Sequence, residues 1–277
     1  MGFDKFLSRF VKHKAAVLCL FFVLAVIAGG IFAPWLAPND PNKIELKLKL
    51  LGPGGQFPLG TDHLGRCILS RLLYGTRISL GSAFLVMSFS LTIGTAVGIF
   101  SAYRGGRIDN LLMRLCDIFL SFPSLVLVLV IIGVLGSGMV NVIIGMILVQ
   151  WLWYVRIIRS LVLSIKERTF VSAAKVAGTS DMKIIFRHIL PNVLPQLIVL
   201  STLDLGSLIL HFSGYSFLGF GVQPPTPEWG AMIEEGRRFI RSAPELMFYP
   251  GMLITLIVIS FNLIGDALRD VLDESVT

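Results

Sequence analysis

The sequence predicts an all-α polytopic membrane protein with six transmembrane helices and both termini on the cytoplasmic side. Three observations predict it. The 277-residue chain is 55% hydrophobic and only 15% charged, whereas a soluble domain carries about 25% charged residues. Its charges are parted by long uncharged runs, and a bilayer-spanning helix needs about 20 such residues. The 24 Lys and Arg residues are shared unevenly between alternate loops, as expected when basic residues set the orientation of a membrane chain.

The elements follow in order. Ala15 to Asn39 is uncharged and closed by Pro34 and Pro38, which puts the first span near 15–36. It is too long for a cleavable signal core, so it is expected to be retained. Ile78 to Tyr103, between Arg77 and Arg104, is the second span. Ile118 to Val155 is also uncharged. As one helix rising 1.5 Å per residue it would be nearly twice the bilayer thickness. The run Gly133-Val-Leu-Gly-Ser-Gly138 offers a break, giving spans three and four. Span five covers about 193–213, and span six runs from Leu246 to Gly265. The N-terminal tail, the loops after spans two and four and the C-terminal tail hold fifteen basic residues against nine on the other face. The first face is therefore read as cytoplasmic. Residues 1–77 make a tail, first span and outer segment, and residues 78–277 make a five-helix core.

The loop at 160–191 has its own structure. It reads as helical up to Ala177, and Gly178 suits the left-handed residue that closes a helix. Thr179, Ser180 or Asp181 can cap a second short helix with Met182, Ile185 and Phe186 on one face, and Pro191 punctuates the entry to span five. Two readings fit this pattern: docking into a groove of a soluble partner, or resting on lipid headgroups.

Span five carries the ionisable pair Asp204 and His211. Seven residues of helix place them within about 20° of one another and about 10 Å apart along the axis. An aspartate at mid-membrane costs about 2.5–3.5 kcal/mol on insertion scales, so it is expected to face a bundle interior or wet cavity. Carboxylate and imidazole are both ligands for a divalent transition metal. Two residues make no tight site alone, and their separation prevents one ion from bridging them. The plainer reading is that Asp204 pairs with a partner subunit and His211 reaches the outer interface. Asp117, near Arg114, reads as an end-of-helix charge. Cys19, Cys67 and Cys116 stand alone, so neither a disulfide framework nor a zinc site is indicated. There is no phosphate-binding loop: Gly55-Gln-Phe-Pro-Leu-Gly60 is followed by Thr61-Asp62 and not by lysine. Basic residues lie between apolar runs and form no nucleic-acid surface.

Ala173-Ala174, Gly178 and Leu190-Pro191 resemble the cytoplasmic loop of ABC importer permeases, with Ser172 in place of that family's glutamate. The resemblance extends through Leu59-Gly-Thr-Asp-His-Leu-Gly-Arg66, Ser121-Phe-Pro123, Ser216 to Gly230 and Asn262 to Asp270, which look like the dipeptide, oligopeptide and nickel permease group. Trp151-Leu-Trp-Tyr-Val-Arg156 and Thr202-Leu-Asp-Leu-Gly206 with His211 look most like the C-type nickel branch. The peptide branch usually has glutamate where His211 stands. The resemblance implies a type I ABC importer permease fold in a bacterial cytoplasmic membrane. Ala173, Ala174, Gly178, His188, Leu190 and Pro191 would couple the chain to an ATPase. Asp204 and His211 would line the substrate pathway. The implied partners are a second permease, two ATPase subunits and an extracytoplasmic binding protein. The chain itself would be no enzyme and hold no cofactor, with ATP and magnesium bound by the ATPase. The outer segments at 37–77 and 214–245 would receive the binding protein. A peptide importer permease is the alternative, and an ATP-independent secondary transporter or channel a more distant one.

Overall fold

The computed structural model describes residues 3–273. Among these the chain is helical, with no strand beyond one antiparallel bridge between Thr61 and Cys67. The helices are α1 (Phe3–Phe10), α2 (Lys14–Ile31), α3 (Ala33–Leu36), α4 (Ile68–Arg104), α5 (Gly106–Leu120), α6 (Ser124–Leu135), α7 (Met139–Lys166), α8 (Thr169–Val176), α9 (Asp181–Ile184), α10 (Leu190–Phe217), α11 (Trp229–Arg237) and α12 (Glu245–Asp273). Residues 1–2 and 274–277 lie outside the described residues, and with them the question of which side the two ends occupy.

Five stretches are long and apolar enough to cross a bilayer: α2, α4, α7, the run from Asp181 to Phe217, and α12. Where the sequence predicts the third span the chain forms a bent pair of helices, a broken span or a re-entrant loop. Helices α5 and α6 meet at 86° across Ser121-Phe122-Pro123. Pro123 has no N–H to donate back into α5, so the chain turns there and restarts. Twelve residues of α6 rise only about 18 Å, less than the hydrocarbon core. The expected break near Gly138 is present, because α6 ends at Leu135 and α7 starts at Met139. Span two also begins ten residues before the apolar run that announced it, so the outer segment ends at 67. Its 37 residues rise about 55 Å.

Two compact units divide the chain. One comprises Met1–Leu85, Ile132–Ile143 and Thr202–Thr277. Within it α2 and α11 pack on α12. Arg77 donates to the carbonyls of Gly30 and Ile31, both at 2.6 Å, and so satisfies the C-terminal end of α2. The other unit comprises Val86–Ile131 and Ile144–Ser201. There Gly94 and Gly98 let α4 lie against α7. A Cβ at Gly98 would stand 3.0 Å from the Ile158 Cβ, the close approach that small residues permit between membrane helices. A core of Ile99, Tyr154, Ile158, Val162, Val171, Ile184 and Ile189 joins α4 and α7 to the loop that follows α7.

Candidate functional site

The loop after α7 folds as its pattern dictates. Helix α8 ends at Val176, and Gly178 takes φ +73°. The Gly178 N–H donates to the Lys175 carbonyl at 3.0 Å, and the Thr179 N–H to the Ala174 carbonyl at 3.1 Å. These two bonds close the end of α8 as a Schellman motif. Ser180 stands at the N-cap of α9 without a side-chain cap bond. Val171, Ile184 and Ile189 are fully buried and pin the loop to its unit. Ala173, Gly178 and Pro191 are exposed, and Ala174, His188 and Leu190 are half-buried. The His188 ring lies 6.1 Å from that of Phe170. Val176, 91% exposed, is the most protruding apolar side chain of the loop.

Two expectations for the loop need correction. Pro191 does not punctuate the entry to α10. The chain passes through a π-helical turn at 185–189 and continues helically from Leu190. The wider turn carries the backbone across the place where Pro191 supplies no donor. Met182, Ile185 and Phe186 do share a face, but they line an open apolar groove of about 580 Å³ with Leu91, Ile99 and Leu194. The outward surface of the loop is therefore carried by Ser172, Ala173, Val176 and Ala177.

Polar side chains that the sequence reading passed over hold this platform. Asp109 is buried and accepts from Arg159 Nε and Nη2 at 2.6 Å each and from Ser101 Oγ at 2.6 Å. Lys166 Nζ donates to the carbonyls of Ala102 and Tyr103 at the end of α4. The Tyr103 hydroxyl donates to Asp181 Oδ1 at 2.6 Å. Asp117 faces Arg156 at 3.5 Å and not Arg114, and both side chains are largely exposed.

Asp204 and His211 both lie on α10. Asp204 is half-buried and His211 exposed. Beside them α10 packs closely on α12: a Cβ at Gly265 would overlap Leu203, and one at Gly206 would touch the Val258 carbonyl. Among the described residues, the one grouping of three metal-type side chains is elsewhere, at Asp62, His63 and Glu235, with ligand atoms within 4.8 Å of one another. Its carboxylates are already engaged. Asp62 Oδ2 accepts from Arg66 Nε at 2.6 Å, and Glu235 Oε2 accepts from Arg66 Nη2 at 2.5 Å and Arg71 Nη2 at 3.1 Å. Two guanidinium groups offset two carboxylates, leaving no net negative charge to draw a dication. The grouping acts as a clamp that ties the 61–67 turn and the start of α4 to α11.

A second buried carboxylate completes the outer structure. Glu228, fully buried, caps α11 by accepting from the Ala231 N–H at 2.8 Å and also accepts from Ser79 Oγ at 2.8 Å. Trp229, equally buried, donates its indole N–H to the Leu72 carbonyl at 3.2 Å. The Gln223–Pro227 stretch before it is non-helical, as its prolines require. In the 37–67 segment Lys43 pairs with Glu45 at 2.5 Å, and that hydrogen bond raises the pKa of the Lys43 ammonium.

Comparison with known proteins places this geometry in a family. Residues 94–277 match the model described as the binding-protein-dependent transport system inner membrane component, and residues 3–53 match the N-terminal TM domain of oligopeptide transport permease C. The chain is 46% identical over 268 residues to the nickel transport system permease protein NikC of Escherichia coli K12, covering 96% of this chain and 97% of that one. It is 40% identical to the dipeptide transport system permease protein DppC of Haemophilus influenzae, covering 98% and 94%. It is also 40% identical to the glutathione transport system permease protein GsiD of Escherichia coli O6:K15:H31, covering 98% and 90%. A solved structure, an inward-facing conformation of the MetNI methionine ABC transporter, superposes with a TM-score of 0.57 at 22% identity over 71% of this chain and 94% of that one. That likeness shows the shared type I ABC importer permease fold.

Proposed function

The chain belongs to the family of binding-protein-dependent transport system inner membrane components, and we propose that it is the permease subunit of an ATP-driven importer carrying nickel or a nickel chelate. It is a multi-pass membrane protein. The observation that carries the reading is the loop at 169–191. A short helix closed by a left-handed glycine, pinned by Ile184 and Ile189 and crowned by Val176, is a rigid knob on the membrane domain. Such a knob suits a cleft on a separate ATPase, and the resemblance of Ala173, Ala174, Gly178, His188, Leu190 and Pro191 to the importer loop supports that partner.

In this reading the chain pairs with a second permease and two ATPase subunits, with both termini cytoplasmic. ATP-driven closure of the ATPase moves the docked knob. The motion enters α10 through the π-helical turn, and the pathway alternates between two states. Asp204 and His211 present a carboxylate and an imidazole to the moving cargo, and the clamped outer segments receive the binding protein. The relative at 46% identity transports nickel by its name, and His211 stands where the peptide branch usually has glutamate. A dipeptide cargo is the second reading, favoured by the dipeptide and glutathione permeases at 40% identity.

The test uses the reconstituted complex with radiolabelled Ni(II) and, separately, a labelled dipeptide. Nickel uptake that falls in Asp204→Ala and His211→Ala while the complex still assembles supports the first reading. Dipeptide uptake without metal uptake overturns it in favour of the second. Normal nickel uptake in both variants removes the pathway role of the two residues.

A further inference from the structure

The sequence pointed to one mechanical exit from the docking loop, through α10. The structure contains a second. Asp181 is the first residue of α9, three positions after the glycine that closes α8. Its Oδ1 accepts from the Tyr103 hydroxyl at 2.6 Å. Tyr103 is the penultimate residue of α4. Lys175 of α8 has its Nζ 5.4 Å from the Tyr103 ring centroid, and Lys166 at the end of α7 lies 5.5 Å from the same ring. Lys166 also holds the last carbonyls of α4, at 3.0 Å from Ala102 and 2.8 Å from Tyr103. The ring itself packs on the buried core that includes Val171 and Ile184.

A π-helical turn widens the backbone path at 185–189, and such a turn interrupts the regular helical hydrogen-bond ladder. A load applied to α8 that left only through this turn could be absorbed there. A charge-assisted hydrogen bond, donated by the Tyr103 hydroxyl to the Asp181 carboxylate, fixes the loop upstream of the turn to the end of a long helix. We infer that Tyr103 is a positioning residue of the coupling apparatus: through Asp181 it makes the docking loop and the end of α4 move as one body, so that the ATPase drives α4 as well as α10. This inference rests on the importer reading above and names the regulation of the same site.

The test measures ATP hydrolysed per substrate moved in proteoliposomes, using whichever of radiolabelled Ni(II) or labelled dipeptide the unaltered complex carries. Tyr103→Phe removes only the hydroxyl and keeps the ring, its packing and both cation contacts. Tyr103→Phe and Asp181→Ala should each raise ATP consumed per substrate by about fivefold, the lower range of a coupling effect. The double variant should be no worse than either single one. Asp181→Asn, which keeps a carbonyl acceptor, should restore most of the ratio. An unchanged ratio in both single variants overturns the inference, as do multiplicative losses in the double variant. So does failure of Tyr103→Phe to assemble, because the hydroxyl would then be a folding element. If the unaltered complex binds no ATPase at all, the importer reading fails instead.

Discussion

Gly178 gives the sharpest quantitative prediction. Its φ of +73° lies in the left-handed region, where an L-residue other than Gly, Asn or Asp costs about 1–2 kcal/mol. A Cβ there would meet no atom within 4 Å. The penalty is therefore purely one of backbone conformation. Two hydrogen bonds depend on that conformation, from the N–H groups of Gly178 and Thr179. A variant loop relaxes when free and must recover its strain on docking, so apparent affinity falls with the population of the competent form. For Gly178→Ala, about 1–2 kcal/mol corresponds to a roughly 5- to 30-fold loss in ATPase affinity. Asn tolerates the left-handed region and should lose least, Ala more, and β-branched Val most. The assay is surface-immobilised permease complex in nanodiscs titrated with ATPase subunits. Equal affinities across Asn, Ala and Val would refute the conformational argument. Retention of full affinity in all three would also remove the loop as the docking element.

Three further outcomes are expected. Ser172→Glu places on the exposed face of α8 the carboxylate that the importer family has there, and should tighten ATPase association by about two- to fivefold, the scale of an exposed ion pair. Glu235→Ala leaves Arg66 and Arg71, each 1% exposed, with Asp62 alone of the two carboxylates they share. Breaking such a buried pair costs about 3–5 kcal/mol, measurable as earlier unfolding in mixed detergent–SDS micelles, and a loss under about 1 kcal/mol would place the clamp among surface ion pairs. Gly98→Leu should push α4 off Ile158 and lower the yield of monodisperse protein, whereas the same change at Gly251, where a Cβ would meet no atom within 4 Å, should not.

The parts legible in the sequence were those set by local chemistry. Uncharged runs located the spanning helices, because charges are expelled from hydrocarbon one residue at a time. Gly178 announced the end of α8, because one conformation there favours one residue type. The bend at Ser121-Phe122-Pro123 was in plain sight but ambiguous: a proline ahead of an apolar run opens a helix as readily as it ends one. The early start of α4 was hidden because Arg71 and Arg77 look like loop residues by hydropathy, yet each meets its partners only in three dimensions, Arg71 at Glu235 and Arg77 at the end of α2. The same distance hid Tyr103 and Asp181, 78 residues apart. A single sequence shows where a side chain is, and pairings made across long loops leave no local trace. Asp204 and His211 were legible for the opposite reason, since an ionisable pair in an apolar helix stands out wherever it points.

An importer permease of this kind draws its energy from outside its own chain. Proteoliposomes holding the permease pair, the ATPase subunits and external binding protein should accumulate radiolabelled Ni(II) when ATP is enclosed, and stop when ATP is replaced by a non-hydrolysable analogue. Proteoliposomes holding this chain alone should accumulate none. Nickel accumulation by the chain alone, unaffected by ATP, would contradict the account.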